Sequence, residues 1–156
     1  PMLREQAEAM PGARELIATL HARGYPLAIA SSSPLWQIEA VVERLNIRDV
    51  LSAVASGEEV ARGKPAPDVY LLAAERLGIA PSRCAALEDS GPGTASARAA
   101  GMYVIAVRSA ETAAHSFAPA DLVLPSLVGA APEIERLLNG RVRDGHAPST
   151  AHDRDG

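Results

Sequence analysis

The feature that most limits what this chain can fold into is an alternation: short apolar runs, each followed within a few residues by a segment whose apolar positions recur at helical spacing. Between Pro11 and Gly24 those positions are Ala13, Leu16, Ile17 and Leu20, with Pro11 suited to a first turn and Gly24 to a stop. Pro26 to Ala30 reads as a buried strand. Ser31-Ser32-Ser33-Pro34 then leads into an amphipathic helix from Leu35 to Leu45, with Ile38, Val41, Val42 and Leu45 on one face. Asn46 to Asp49 reads as a loop, and Val50 to Ala55 carries a fainter strand pattern. Val69 to Leu77 is helical and stops at Gly78; the run from Cys84 to Leu87 is a strand, and Gly91 opens the next helix. Met102 to Val107 is a second buried strand, Leu122 to Leu124 a short one, and Leu127 to Leu138 a closing helix. Such an order implies parallel strands joined by right-handed crossovers, layered with helices, and ligands bind such sheets at the carboxyl ends of the strands.

The 156 residues suit one domain with a real core. Aromatic residues make up only 3%, so that core must be built from Ala, Val, Leu and Ile. The expected organisation is a linker or remnant over residues 1–10, a folded core over 11–138 and a disordered tail over 139–156, where Gly, Arg, Asp, His, Pro, Ser and Thr dominate. Fifteen basic against nineteen acidic residues give a net charge of −4, with no block of Lys or Arg, which argues against nucleic acid as a partner. No run approaches the roughly 18 apolar residues of a membrane span, and the first residues do not read as a secretory signal. The single cysteine, Cys84, cannot form an internal disulfide and reads as a core residue, so the expectation is a cytoplasmic chain. His21, His115, His146 and His152 show no metal-ligand spacing, and Trp36 reads as a packing or rim residue.

Three stretches carry chemistry. Ser31 is the first polar residue after a strand and stands just before a helix start, where hydroxyl and backbone N–H groups together can hold a phosphate; a plain helix cap is the competing reading. Lys64 lies in Gly-Lys-Pro-Ala-Pro-Asp68, a loop stiffened by two prolines, from which an ammonium can neutralise an oxyanion. Glu88 and Asp89 end an apolar strand and are followed by Ser90-Gly91-Pro92-Gly93, so they offer two adjacent oxygen ligands for Mg²⁺; a solvated Glu88 with Asp89 or Ser90 capping a helix is the competing reading. Each signal is ambiguous by itself. In order along one α/β frame, a hydroxyl, a cation and a metal-binding pair are the set that phosphoryl transfer needs.

With these motifs, Ala-Ile-Ala-Ser31-Ser-Ser, Gly57-Glu-Glu-Val, Gly63-Lys64-Pro-Ala-Pro-Asp and Leu87-Glu88-Asp89-Ser-Gly-Pro-Gly, the chain from about Pro11 to Leu127 resembles the haloacid dehalogenase-like hydrolases. Within them it is most similar to the branch of β-phosphoglucomutase and 2-deoxyglucose-6-phosphatase. The resemblance implies a Rossmann-like three-layer α/β/α core with a parallel sheet, incomplete at the N-terminus. It implies that Ser31, Ser32 and Lys64 bind the phosphoryl group, that Lys64 takes part in catalysis, that Glu88 and Asp89 hold Mg²⁺, and that the substrate is a small phosphorylated metabolite, a sugar phosphate being the expectation.

The family's attacking aspartate, in an Asp-x-Asp motif at the end of a first strand, has no counterpart before Ser31. Most of the helical cap is missing too, which leaves the substrate unspecified. Asp153-Arg-Asp155 has the right spacing but no strand before it to aim it. The resemblance therefore implies a core without its nucleophile, inactive as these residues stand. A non-catalytic module that still binds Mg²⁺ or phosphate, or acts in interactions, is the alternative; a dehalogenase is disfavoured because that branch does not need the carboxylate pair. In the resembling folds the absent strand lies mid-sheet, between Leu27–Ala30 and Ala85–Glu88, so both would lose ladder partners, and open edges favour self-association.

Overall fold

Apolar runs bounded by turn residues become strands here, and the segments between them become helices that cover both faces. The computed structural model describes residues 12–108 and 120–143. Its elements are α1 (Ala13–Ala22), β1 (Ala28–Ser31), α2 (Leu35–Leu45), β2 (Ala53–Ser56), α3 (Asp68–Leu77), β3 (Ala85–Glu88), α4 (Gly91–Ala99), β4 (Tyr103–Val107), β5 (Leu122–Leu124) and α5 (Ala131–Arg143). All pairings are parallel, as the alternation demands.

The strands form two sheets rather than one: β1 with β2, and β3 with β4 and β5. Two apolar layers cover them. On one face Leu16 and Leu20 of α1 and Ile134 and Leu138 of α5 meet Leu27, Ala85, Ile105 and Val107. On the other, Val69, Tyr70, Ala73 and Ala74 of α3 and Ala97 of α4 meet Ala55, Ala86 and Val104. Successive residues of β3 and β4 serve opposite layers, the period of two that a strand buried on both faces must show. A smaller cluster of Ile38, Val42 and Ile47 seats α2 beside α1 through Ile17, Ile29 and Val54. The α/β/α three-layer class is as expected.

Several boundaries differ from the sequence reading. β2 begins at Ala53 because Arg48–Val50 wind into a 3₁₀ turn, and pairing starts where the Ser52 N–H donates to the Leu27 carbonyl at 2.7 Å. Leu127 lies outside α5, which starts at Ala131 and continues to Arg143, so residues 139–143, expected in a disordered tail, are helical. The rest of that tail, Asp153 and Asp155 included, and the 1–10 segment lie outside the described residues. The larger difference is in β1. Expected as a buried strand, its Ala28, Ile29 and Ala30 are only half-buried, whereas all five residues of β4 are buried. No described strand pairs with β1 on the side away from β2.

One glycine at the base of the fold is dictated by space. Gly12 caps α1 with φ 92°, and a Cβ there would lie 2.8 Å from the Val128 backbone, so only glycine lets α1 start against the loop before α5.

Candidate active site

Every candidate residue of the sequence reading ends on one cleft. Ser31 and Ser32 from the end of β1, Lys64 from the loop before α3, and Glu88, Asp89 and Ser90 from the end of β3 line a cavity of about 520 Å³. The chain brings them together through the carboxyl ends of two strands and one anchored loop.

That loop is held at both sides of Lys64. Ser96 of α4 donates its hydroxyl to the Ala66 carbonyl at 2.7 Å, the Ala66 N–H returns to Gly63 O at 3.0 Å, and Arg62 pairs with Asp68 at 2.9 Å. The Lys64–Pro65 peptide is cis. So held, the Lys64 ammonium donates to Glu88 Oε2 and lies 3.4 Å from the Ala30 carbonyl. It touches β1 and β3 at once.

Glu88 Oε2 also accepts from the Tyr70 hydroxyl, and the Tyr70 ring centroid lies 5.0 Å from the lysine nitrogen. The Lys64 and Glu88 side chains are only 12% and 9% exposed, so the solvated reading of Glu88 does not hold. Burial, reinforced by the negative charge of Glu88 and its hydrogen bond, holds the Tyr70 phenol well above the usual tyrosine range. Gly93 completes the seat: any Cβ there would overlap the Glu88 carboxylate. Ser90 caps α4 as a plain helix reading suggests, accepting from the Gly93 N–H at 3.0 Å, and its hydroxyl lies 3.5 Å from Glu88 Oε1.

Ser31 is buried, and its oxygen accepts the Ser33 N–H at 3.0 Å, a turn that bends the chain towards α2; Ser32 beside it is exposed. The N-terminus of α2 is met by a residue the sequence reading did not single out: Glu58 Oε1 accepts the Leu35 N–H at 2.8 Å. Tyr70 was also missed, because at helical spacing it reads as core; its position six residues after Lys64 is the available signal. Trp36, at 65% exposure, is not packed into the core and does not line the cleft.

Among the described residues no group of three or more His, Cys, Asp or Glu side chains could hold a metal by itself. The donor set nonetheless suits Mg²⁺, which takes one or two carboxylates and fills its remaining positions with water and substrate oxygens. Among the described residues, Glu88 and Asp89 are the only carboxylates on the cleft. No described helix is long and apolar enough to cross a membrane.

A strand-end hydroxyl, a lysine and two carboxylates stand at the carboxyl edge of this parallel α/β/α fold, and the haloacid dehalogenase-like hydrolase model matches residues 2–101. The chain belongs to that family. It is 42% identical over 129 residues to protein CbbY of Rhodobacter capsulatus, covering 81% of this chain and 57% of that protein. Against hexitol phosphatase B of Escherichia coli K12 it is 39% identical over 127 residues, with the same coverage of 81% and 57%. A crystal structure of mutant CbbY from Rhodobacter sphaeroides with xylulose-1,5-bisphosphate superimposes with a TM-score of 0.72 at 36% identity, over 76% of this chain and 54% of that one. The chain thus spans little more than half the length of each of these three relatives.

Proposed function

We propose that this chain is the core of a Mg²⁺-dependent phosphatase or phosphomutase that acts on a small phosphate monoester, a sugar phosphate by the names of its relatives, in the cytoplasm. The observation that carries the reading is the convergence of Lys64 with Ser31, Ser32, Glu88 and Asp89 on one cleft. The Lys64 ammonium neutralises phosphoryl oxygens, and the Ser31 and Ser32 hydroxyls orient them. Glu88 fixes the lysine, and with Asp89 it would hold Mg²⁺, which supplies charge for the same oxygens. Among the described residues Glu88 and Asp89 are the only carboxylates lining the cleft, and this reading gives both to Mg²⁺, so those residues supply binding groups and no attacking group. These residues therefore bind without turning over. That same observation favours the second reading, a module that binds phosphate and Mg²⁺ without catalysis.

Calorimetry with orthophosphate and Mg²⁺ tests the site. Phosphate binding should require Mg²⁺, weaken about tenfold or more in Asp89→Asn and in Lys64→Met, and stay unchanged in Trp36→Ala. Binding indifferent to Lys64→Met would refute the assignment. Turnover of p-nitrophenyl phosphate that Asp89→Ala abolishes would show an attacking group within the chain and exclude the non-catalytic reading.

A further inference from the structure

The turn that carries Ser31 is held from outside itself. Ser33 stands one residue before the ladder of α2, whose first acceptor is the Pro34 carbonyl, and Pro34 has no N–H to return a bond. The Ser33 carbonyl therefore needs a donor from elsewhere in the chain. Ser56 supplies it: this fully buried residue donates its hydroxyl to Ser33 O at 2.7 Å. Ser56 is also the strand partner of Ser31 in the β1–β2 register, so the two serines leave the sheet side by side. Its neighbours tighten the same seat. The Glu58 N–H donates to Ser56 Oγ at 3.1 Å, Glu58 Oε1 accepts the Leu35 N–H, and Gly57 passes so near Ser32 that a Cβ on it would lie 3.0 Å from the Ser32 Cα and carbonyl oxygen. From behind, Glu59 accepts the Ser56 N–H at 2.9 Å and pairs with Arg76 of α3.

What the seat fixes is the direction of one proton. Ser31 Oγ accepts the Ser33 N–H at 3.0 Å, which engages one lone pair and leaves the hydroxyl proton as the donor that Ser31 can turn into the cleft it lines. Ser33 is thus gripped at both ends, its N–H by Ser31 and its carbonyl by Ser56. Released at the carbonyl, the Ser33 backbone is free to rotate and its N–H to leave Ser31 Oγ. We infer that Ser56 is a positioning residue for anion binding: it acts through Ser33 to aim the Ser31 hydroxyl at a phosphoryl oxygen, so that little ordering is left to be done when the anion arrives. The inference rests on the proposal that Ser31 and Lys64 bind phosphate, and adds that the Ser31 turn is set by β2 rather than by its own residues.

Titration calorimetry on the full chain, with Mg²⁺ alone and with orthophosphate in saturating Mg²⁺, reads the two halves of the site separately. Ser56→Ala should weaken phosphate binding about fivefold, the worth of one well-placed neutral hydrogen bond, and leave the affinity for Mg²⁺ unchanged. In a Ser31→Ala background the same substitution should weaken phosphate no further, because the hydroxyl it aims is gone. Full phosphate affinity in Ser56→Ala overturns the inference. So does an equal loss in both backgrounds, or a loss of Mg²⁺ affinity alongside phosphate, either of which would make Ser56 a prop of the fold. If Ser56→Ala does not fold, Ser56→Cys, a weaker donor on the same stem, carries the test, with about a threefold loss expected and the same overturning results. Lys64→Met marks the underlying proposal separately: a loss of phosphate there with none in Ser56→Ala defeats this inference alone, whereas no loss in either, or no binding by the unaltered chain, defeats both.

Discussion

The two half-sheets are built from the same kinds of residue and differ in what surrounds them. β4 has a paired strand on each side and buries all five residues; β1 has one partner among the described strands and leaves Ala28, Ile29 and Ala30 half-exposed. Ile105 and Ile29 are the same side chain in the two settings, the first fully buried and the second only partly so. Stability should therefore be concentrated in the β3–β5 half. Ile105→Ala should cost about 4 kcal/mol and Ile29→Ala about 1 kcal/mol in urea denaturation. Equal costs would mean that the two halves share one core of even density.

Among the described residues no hydrogen-bonded ladder links the halves, and side chains join them at the rim. Lys64 spans from the Ala30 carbonyl to Glu88, and Tyr70, on the helix packed against β1 and β2, reaches Glu88 at the end of β3. Cutting this tie should leave a largely buried carboxylate without its cation. Lys64→Met should cost about 3 kcal/mol, and the double variant Lys64→Met with Glu88→Gln should recover most of it, because a neutral amide needs no cation. Chemical denaturation of the three variants would check this; a double variant as unstable as the single one would show that the lysine stem, not the charge pair, carries the effect. The lysine is easily followed, since the fifteen basic residues comprise fourteen arginines and Lys64.

How much of this was legible in the sequence follows the same division. The β3–β5 half reads well because its strands are continuous apolar runs ended by glycine or polar residues, and local pattern and tertiary setting agree. Glu88, Asp89, Lys64 and Ser31 were legible as strand-end or proline-braced polar residues. Ser90 as a cap was also legible, from its place before Gly91-Pro92. The half-exposure of β1 was hidden, because Leu-Ala-Ile-Ala reads as buried whatever stands beside it; only the resemblance, which puts an absent strand at that edge, pointed to it. Tyr70 was hidden for another reason: its hydroxyl works at the rim while its ring sits at a core position, and periodicity registers only the ring. The extension of α5 past Asn139 was masked by Gly140, which reads as a stop when helix propensity is weighed residue by residue.

Tyr70 also gives the subtlest test of how the halves are tied. At neutral pH its hydroxyl supplies one hydrogen bond to Glu88, so Tyr70→Phe should cost about 1 kcal/mol. The balance changes in alkali. In the unfolded chain the phenol ionises near pH 10, whereas burial and the neighbouring carboxylate keep it protonated to well above that in the folded protein. Above pH 10 the folded state therefore binds the extra proton, and this contribution, fully present below pH 10, falls by up to about 1.4 kcal/mol per pH unit until the folded group itself titrates. The phenylalanine variant has no such proton to lose. Its deficit should shrink from pH 10 upward and vanish about one unit higher, with the two urea midpoints crossing near pH 11. Parallel stability curves across that interval would mean that the phenol is reached by solvent, and that the tie between the half-sheets is looser at Tyr70 than at Lys64.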